Sequence, residues 1–288
     1  MVPRRRFTLP LPHGGTLALG DRALVMGIVN VTPDSFSDGG RYLEPERAVD
    51  AGIRMAEEGA DLLDIGGEST RPGADALSDA EEQRRVIPVV AGLAARVRVP
   101  LSIDTYKAST AAAALAAGAA IVNDVSGLQY DPALADVVAE QGAGIVLMHT
   151  RGRSRDMYAQ ASYHDVVAEV LDELRQSVAF ARAAGIPAER IVLDPGLGFA
   201  KDARHTYEAL ARLDAFADVG RPLLVGPSRK SFLSRPLGAT VPPAERDWAT
   251  AAAVTAAVLS GAHIVRVHAV REMRQVVLVA EEIRRYHA

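Results

Sequence analysis

Cysteine is absent from the 288 residues. Its absence excludes disulfides, thiolate metal sites and cysteine nucleophiles, and it agrees with a reducing cytosol. There is no surplus of basic charge. Lys and Arg total 32 against 36 Asp and Glu, a formal net charge of −4, so bulk charge gives no argument for nucleic-acid binding. No apolar run reaches membrane-spanning length before a charged or Gly-rich segment breaks it. The basic start, MVPRRRFTLPLPHGG, lacks a long apolar stretch and does not read as a signal peptide; Arg4, Arg5 and Arg6 read as solvated charge. Seven histidines occur but no HExxH, and there is neither a Walker loop nor a dinucleotide fingerprint. No linker rich in Pro, Ser or charge divides the chain, which favours one domain.

What is present is a sizeable core, with 49% apolar residues, and a repeated grammar. Residues 24–40, LVMGIVNVTPDSFSDGG, begin as a short apolar run and pass at Asn30 into a polar, Gly-containing loop. An apolar run, a polar residue at its end, a loop and an Ala-rich helical stretch then recur. Strands are expected near 23–29, 61–65, 101–103, 120–122, 144–147, 190–193, 222–225 and 263–267. Helices are expected near 44–58, 79–94, 107–117, 132–141, 167–185, 203–213, 246–259 and 270–285. Pro88 is expected to kink the second helix or split off its end, and residues 150–163 read as a mobile loop. The strands are short and apolar without strict alternation, as in sheets covered on both faces. The reading is an α/β fold, a (β/α)8 barrel over residues 23–288. Residues 1–22 precede it, with a hairpin near 7–19 closing its bottom. A doubly wound open sheet is the alternative.

In such a barrel the C-terminal strand ends meet on one face. Polar residues fall there repeatedly: Asn30, Asp64 with Glu68 and Thr70, Asp104, Asn123 with Asp124, Met148 with His149, Asp194, Ser228 with Lys230, and Arg266 with His268. Singly, each has an ordinary explanation; Asp104, for example, is placed to cap the next helix. Together they would be costly to bury without partners. Asp104, Asn123, Asp194 and Lys230 form a mixed donor–acceptor set suited to a fused, amidine-like heterocycle. Arg71, Arg266 and His268, with Asn30 and Thr70, suit phosphate oxygens. Gly226 and Ser228 stand before a possible helix start, where an anion or carboxylate is favoured. A loosely held Mg²⁺ bridging phosphate oxygens is compatible with this set.

Two long segments, NVTPDSFSDGG (30–40) and DIGGESTRPGA (64–74), closely resemble the signatures of the dihydropteroate synthase family. The resemblance continues in order through SIDTYK, NDVSG, MH, DPGLGFAK, GPSRKSF and RVH, and so covers nearly the whole chain. It implies a TIM barrel, usually homodimeric and cytoplasmic, that joins 4-aminobenzoate to 6-hydroxymethyl-7,8-dihydropterin diphosphate in folate synthesis, releasing pyrophosphate. Asp104, Asn123, Asp194 and Lys230 resemble residues that grip the pterin ring, and Met148 and Phe199 its apolar packing partners. Asn30, Thr70, Arg71, Arg266 and His268 resemble the diphosphate and Mg²⁺ surroundings, with Asn30 the metal ligand. Phe36, Pro72, Ser228 and Lys230 resemble the aminobenzoate surroundings. The first two loops, carrying Asp38 and Arg71, resemble mobile loops that close over the second substrate. Catalysis would fall to Asp104, Asp194, Lys230, Arg71 and Asp38. The chain departs from the family at Ala200, where Gly is common, and at Ser154, where Pro is common.

A related barrel family passes the methyl group of methyltetrahydrofolate to a corrinoid protein. It has no use for a diphosphate group or for the loops at 32–40 and 69–74. A non-enzymatic pterin-binding protein is a further alternative, predicting binding without product. A nucleic-acid module and a membrane protein are disfavoured.

Overall fold

A computed structural model of the chain describes residues 4–31, 44–70, 73–238 and 241–286. A hairpin comes first. Strand β1 (Phe7–Pro10) pairs antiparallel with β2 (Thr16–Leu19), with Phe7 opposite Leu19 and Pro10 opposite Thr16. Eight parallel strands follow: β3 (Leu24–Asn30), β4 (Leu62–Gly66), β5 (Leu101–Asp104), β6 (Ile121–Asp124), β7 (Gly144–Met148), β8 (Ile191–Asp194), β9 (Leu224–Val225) and β10 (Ile264–Val267). Their spatial order is β8-β7-β6-β5-β4-β3-β10-β9. A parallel bridge between Leu193 and Leu223 closes the ring between β8 and β9. Among the described residues, eight α-helices run between and after the strands: α1 (Glu44–Glu57), α2 (Asp79–Ala94), α3 (Ala108–Ala116), α4 (Leu134–Gln141), α5 (Val166–Ala183), α6 (Ala203–Ala211), α7 (Asp247–Leu259) and α8 (Val270–Arg285). The fold is a (β/α)8 TIM barrel.

Two cores follow from the two-residue period of a strand. Leu24, Met26, Leu62, Ile121, Val146, Val192, Leu224 and Ile264 point into the barrel, where they meet Leu9, Leu11 and Leu19 of the hairpin. The alternate positions, including Val25, Leu63, Ile103, Val122, Ile145, Leu193 and Val265, face the helices in a larger outer core. The hairpin closes the end where the strands begin. A Cβ on Gly144, the first residue of β7, would stand 3.2 Å from Leu9 Cδ2.

Two expectations fail for identifiable reasons. Pro88 does not divide the second helix; α2 runs unbroken from Asp79 to Ala94. Buried Val86, Val89, Val90 and Leu93 anchor it on both sides of the proline, and that burial outweighs one lost backbone bond. Arg4 is not solvated. Its side chain is 2% exposed, and it donates to Glu281 Oε1 at 2.7 Å and to Val258 O at 3.2 Å. Arg6 does remain on the surface, paired with Asp21. Residues 150–163 form a chain of turns in which Met157 is buried. No helix among the described residues is long and apolar enough to cross a membrane.

Candidate active site

The inward parity of the lower barrel continues upward into polar residues. On β3 it passes from Met26 to Asn30, on β4 from Leu62 to Asp64, and on β10 from Ile264 to Arg266. The same parity brings Ser102 and Asp104 (β5), Asn123 (β6), Met148 (β7) and Asp194 (β8) inward. The apolar plug therefore gives way, at the C-terminal ends of the strands, to a polar layer.

That layer is organised around Arg266. Its Nε donates to Asp64 Oδ2 and its Nη2 to Asp104 Oδ2, each at 2.6 Å. Asn123 Nδ2 donates to the same Asp64 oxygen at 2.9 Å. Three strands that are neighbours in the ring (β4, β5, β6) are thereby tied to β10. Burial raises the Asp104 carboxyl; Arg266 opposes that shift and Asp64 reinforces it. Asp64 Oδ1 and Ser102 Oγ, at paired positions of β4 and β5, are buried without a hydrogen-bond partner among the described residues. Such atoms are suited to a ligand or a bound water. Asp104 does not cap the next helix, as one reading of the sequence allowed. The Ala108 N–H is taken by Asp131 Oδ2 at 2.8 Å, and Asp104 is left to Arg266.

On the opposite wall, Asp194 Oδ1 accepts from Gly196 N–H at 2.7 Å. Burial raises its carboxyl while the Lys230 charge lowers it. Lys230 donates to Leu197 O, and its ammonium lies 4.1 Å from the centre of the Phe199 ring. Burial draws the Lys230 ammonium down to about 8, partly offset by Asp194. Phe199 also borders a small, partly open cleft whose lining includes Thr70, Tyr106, Tyr130, Thr150 and Met157. Met148 is buried at the end of β7.

Ser228 and His268, which the sequence divides between two substrates, form one pair. Ser228 Oγ lies 2.9 Å from His268 Nδ1 and accepts from His268 N–H at 3.2 Å. Arg229 is turned away, at φ +58°, onto Asp247 with two bonds of 2.7 and 2.8 Å. The root of the loop after β4 is fixed by Glu68. It accepts from Tyr106 OH at 3.0 Å, from Lys107 Nζ at 2.6 Å and from Leu77 N–H at 2.9 Å. Lys107 also donates to buried Glu82 at 2.7 Å.

Of the residues singled out from sequence, Asp104, Asn123 and Arg266 converge in one network. Asp194, Lys230 and Phe199 form a second group, and Ser228 with His268 a third. Phe36, Asp38, Arg71 and Pro72 lie outside the described residues. Asp64 stands out in the sequence only as a polar strand end with no assigned role, yet it is the link between Arg266 and Asn123. The available signal was parity: two residues beyond inward-facing Leu62, it must face the same way.

A closed barrel with a polar layer of carboxylates, amide and guanidinium at its C-terminal mouth has the architecture of a barrel enzyme whose site is suited to a polar ligand. The family model described as pterin binding enzyme matches residues 26–268. The chain is 45% identical over 278 residues to the dihydropteroate synthase of Synechocystis, covering 96% of each. It is 50% identical over 252 residues to that of Mycobacterium leprae, covering 86% of this chain and 88% of that one. Among solved structures, it superposes with TM-score 0.90 on the Yersinia pestis dihydropteroate synthase in a sulfonamide complex, at 41% identity and 96% and 99% coverage. It superposes with 0.85 on the Xanthomonas albilineans enzyme in complex with 7,8-dihydropteroate, at 42% identity and 95% and 98% coverage. The chain belongs to the dihydropteroate synthase family, and it is a folate-pathway enzyme.

Proposed function

We propose that the mouth of this barrel joins 6-hydroxymethyl-7,8-dihydropterin diphosphate to 4-aminobenzoate by substitution at the exocyclic CH₂ of the pterin. The C–O bond to the diphosphate breaks and pyrophosphate leaves. A C–N bond to the amine forms, and the amine's proton passes to solvent. The products are 7,8-dihydropteroate and pyrophosphate. The observation that carries this reading is the inward polar layer of Asp64, Asp104, Asn123, Asp194 and Arg266.

In this scheme Asp104, Asn123, Asp194 and Lys230 hold the pterin ring, with Met148 and Phe199 packing on it. Asp104 and Asp194 also face the positive charge that develops on the ring as the leaving group departs. Arg266 opposes the rise that burial imposes on the Asp104 carboxyl, which stands at about 7, so its ionised form is partly populated at neutral pH and gains as pH rises. Asn30, Thr70, Arg71, Arg266 and His268 take the diphosphate. Phe36, Pro72, Ser228 and Lys230 take the aminobenzoate, and loop closure by Asp38 and Arg71 excludes water from the cation. The amine is weakly basic, so no strong general base is required.

A divalent ion suits the diphosphate. Among the described residues no three His, Cys, Asp or Glu side chains stand together as a metal cage. A single neutral oxygen from Asn30 fits Mg²⁺, which is commonly held through phosphate oxygens and water. Bound there, Mg²⁺ would supply charge neutralisation for departing pyrophosphate.

The reading includes a cytoplasmic homodimer. Support for association comes from the end of α8 and the residue after it, which expose Val279, Ile283 and Tyr286 at i, i+4 and i+7 spacing, and separately from Trp248, exposed at the start of α7. The decisive experiment mixes purified protein, pterin diphosphate, 4-aminobenzoate and Mg²⁺ and follows both products. Equal yields of pyrophosphate and dihydropteroate are expected. Pyrophosphate alone would mean hydrolysis, and binding without either product would make the chain a pterin-binding protein.

A further inference from the structure

The segment joining β8 to α6 has an unusual pattern of hydrogen bonds. Its five consecutive carbonyls, from Gly196 to Ala200, all accept from side chains. Gly196 O and Phe199 O accept from Lys201 Nζ at 3.2 and 3.1 Å. Leu197 O accepts from Lys230, Gly198 O from Tyr158 OH at 3.3 Å, and Ala200 O from Tyr163 OH at 2.9 Å. Apart from a turn in which Phe199 N–H donates to Gly196 O at 3.0 Å, this irregular loop is held carbonyl by carbonyl from side chains.

Lys201 is the centre of this arrangement. It is 1% exposed, and its third contact is His149 Nδ1 at 2.8 Å. Three acceptors match the three protons of an ammonium. His149 Nδ1 is then unprotonated, and Nε2 donates to Glu173 Oε2 at 2.9 Å. Arg151 binds the other oxygen of Glu173 through Nε at 3.0 Å. Burial draws the Lys201 ammonium down to about 7 while Asp194 holds it up, and its charged form, costly to bury unless held, is connected through one imidazole to a carboxylate on α5. The loop lies hard against β7: Gly196 has φ +67°, and a Cβ there would stand 1.9 Å from His149 O. The same loop carries the Gly196 N–H that binds Asp194 and the Phe199 ring beneath Lys230.

We propose that Lys201, held in place by His149 and Glu173, is a positioning residue for pterin recognition, fixing the Gly196–Ala200 backbone that orients Asp194 and Phe199. This rests on the assignment of Asp194 and Phe199 to the pterin site. None of the three side chains need touch substrate. The loop geometry, and so the aim of the two contacting groups, depends on them.

The test uses the full-length chain with Lys201→Met, which keeps the stem and removes the charge, and Tyr163→Phe, which deletes only the Ala200 anchor. Binding of pterin diphosphate to the unaltered chain is measured first; if it does not bind, the site assignment itself fails. In Lys201→Met the KM for pterin diphosphate should rise by about 100-fold, the scale of a 1 Å misplacement. The KM for 4-aminobenzoate should rise by less than about 10-fold, because the loop reaches that substrate only through Lys230, which Leu197 O and the Phe199 ring hold, while the pterin also depends on Asp194 and Phe199. Tyr163→Phe should show the same split at about 3- to 10-fold, as for one neutral hydrogen bond. Equal changes in both KM values, or a folded Lys201→Met with unchanged pterin affinity, would overturn the proposal. Should Lys201→Met fail to fold, Tyr163→Phe decides, and no change in its pterin KM counts against the inference.

Discussion

At the scale of single residues, the site is governed by how much charge is buried and what opposes it. Lys230 shows both sides: burial draws its ammonium down to about 8, while Asp194 holds it up. Lys230→Ala should weaken pterin binding about 10- to 100-fold, the loss of one charge-assisted contact, with a smaller effect on folding. Calorimetry beside a denaturation curve compares the two, and equal pterin affinity would remove Lys230 from the ring site. The depressed value also sets a pH dependence. As pH rises through about 8 the ammonium loses its proton, so pterin affinity in the unaltered chain should decline there. That limb should vanish in the variant.

Ala200 is a different kind of residue effect. It sits at φ +46°, a left-handed conformation that a Cβ disfavours. Left-handed backbone costs an L-residue about 1–2 kcal/mol, and Gly returns about half of that as unfolded-state entropy. Ala200→Gly should therefore stabilise the chain by about 0.5–1 kcal/mol. A higher denaturant midpoint with an unchanged m-value is the expected readout.

At the scale of elements, the barrel separates stability from chemistry by height. The hairpin β1–β2 plugs one end with Leu9, Leu11 and Leu19, and the polar layer lies at the other. Leu9 is fully buried, so Leu9→Ala should cost about 3 kcal/mol, as for a core leucine truncation. At saturating substrates below the melting range, kcat should remain near that of the unaltered chain. A large fall in kcat in a folded Leu9→Ala would show that the plug influences the mouth. The loop after β8 joins the two functions: Leu197 is buried in the outer core, and in the proposal above the loop backbone sets the direction of two side chains at the site.

For the whole molecule, the exposed apolar stripe on α8 and Trp248 on α7 bear on assembly. Trp248 is 90% exposed and Val279 61%, unusual for side chains of this size unless another surface covers them. Sedimentation of the unaltered chain should give a dimer, and Val279→Asp should shift it toward monomer by placing a charge within an apolar contact. A monomer at all concentrations in the unaltered chain would reject the homodimer.

The sequence by itself determined the eight strand–helix units, their order and the end of the barrel that carries chemistry. Apolar runs, helical periodicity and terminal polar residues are local signals, and each unit is short enough to show them. The resemblance to the family then supplied candidate ring-binding residues. It was the tertiary structure that decided which of the polar residues meet. Asp64 and Arg266 are 202 positions apart, and their pairing depends on barrel closure and on inward parity along β4 and β10. Lys201, His149 and Glu173 read locally as a loop lysine, a strand-end histidine and a helix-face carboxylate. Arg4 reads as a solvated terminal charge. Each of these became a buried partner only when distant segments closed around it, because burial and hydrogen bonding are properties of the packed molecule and not of the adjoining residues.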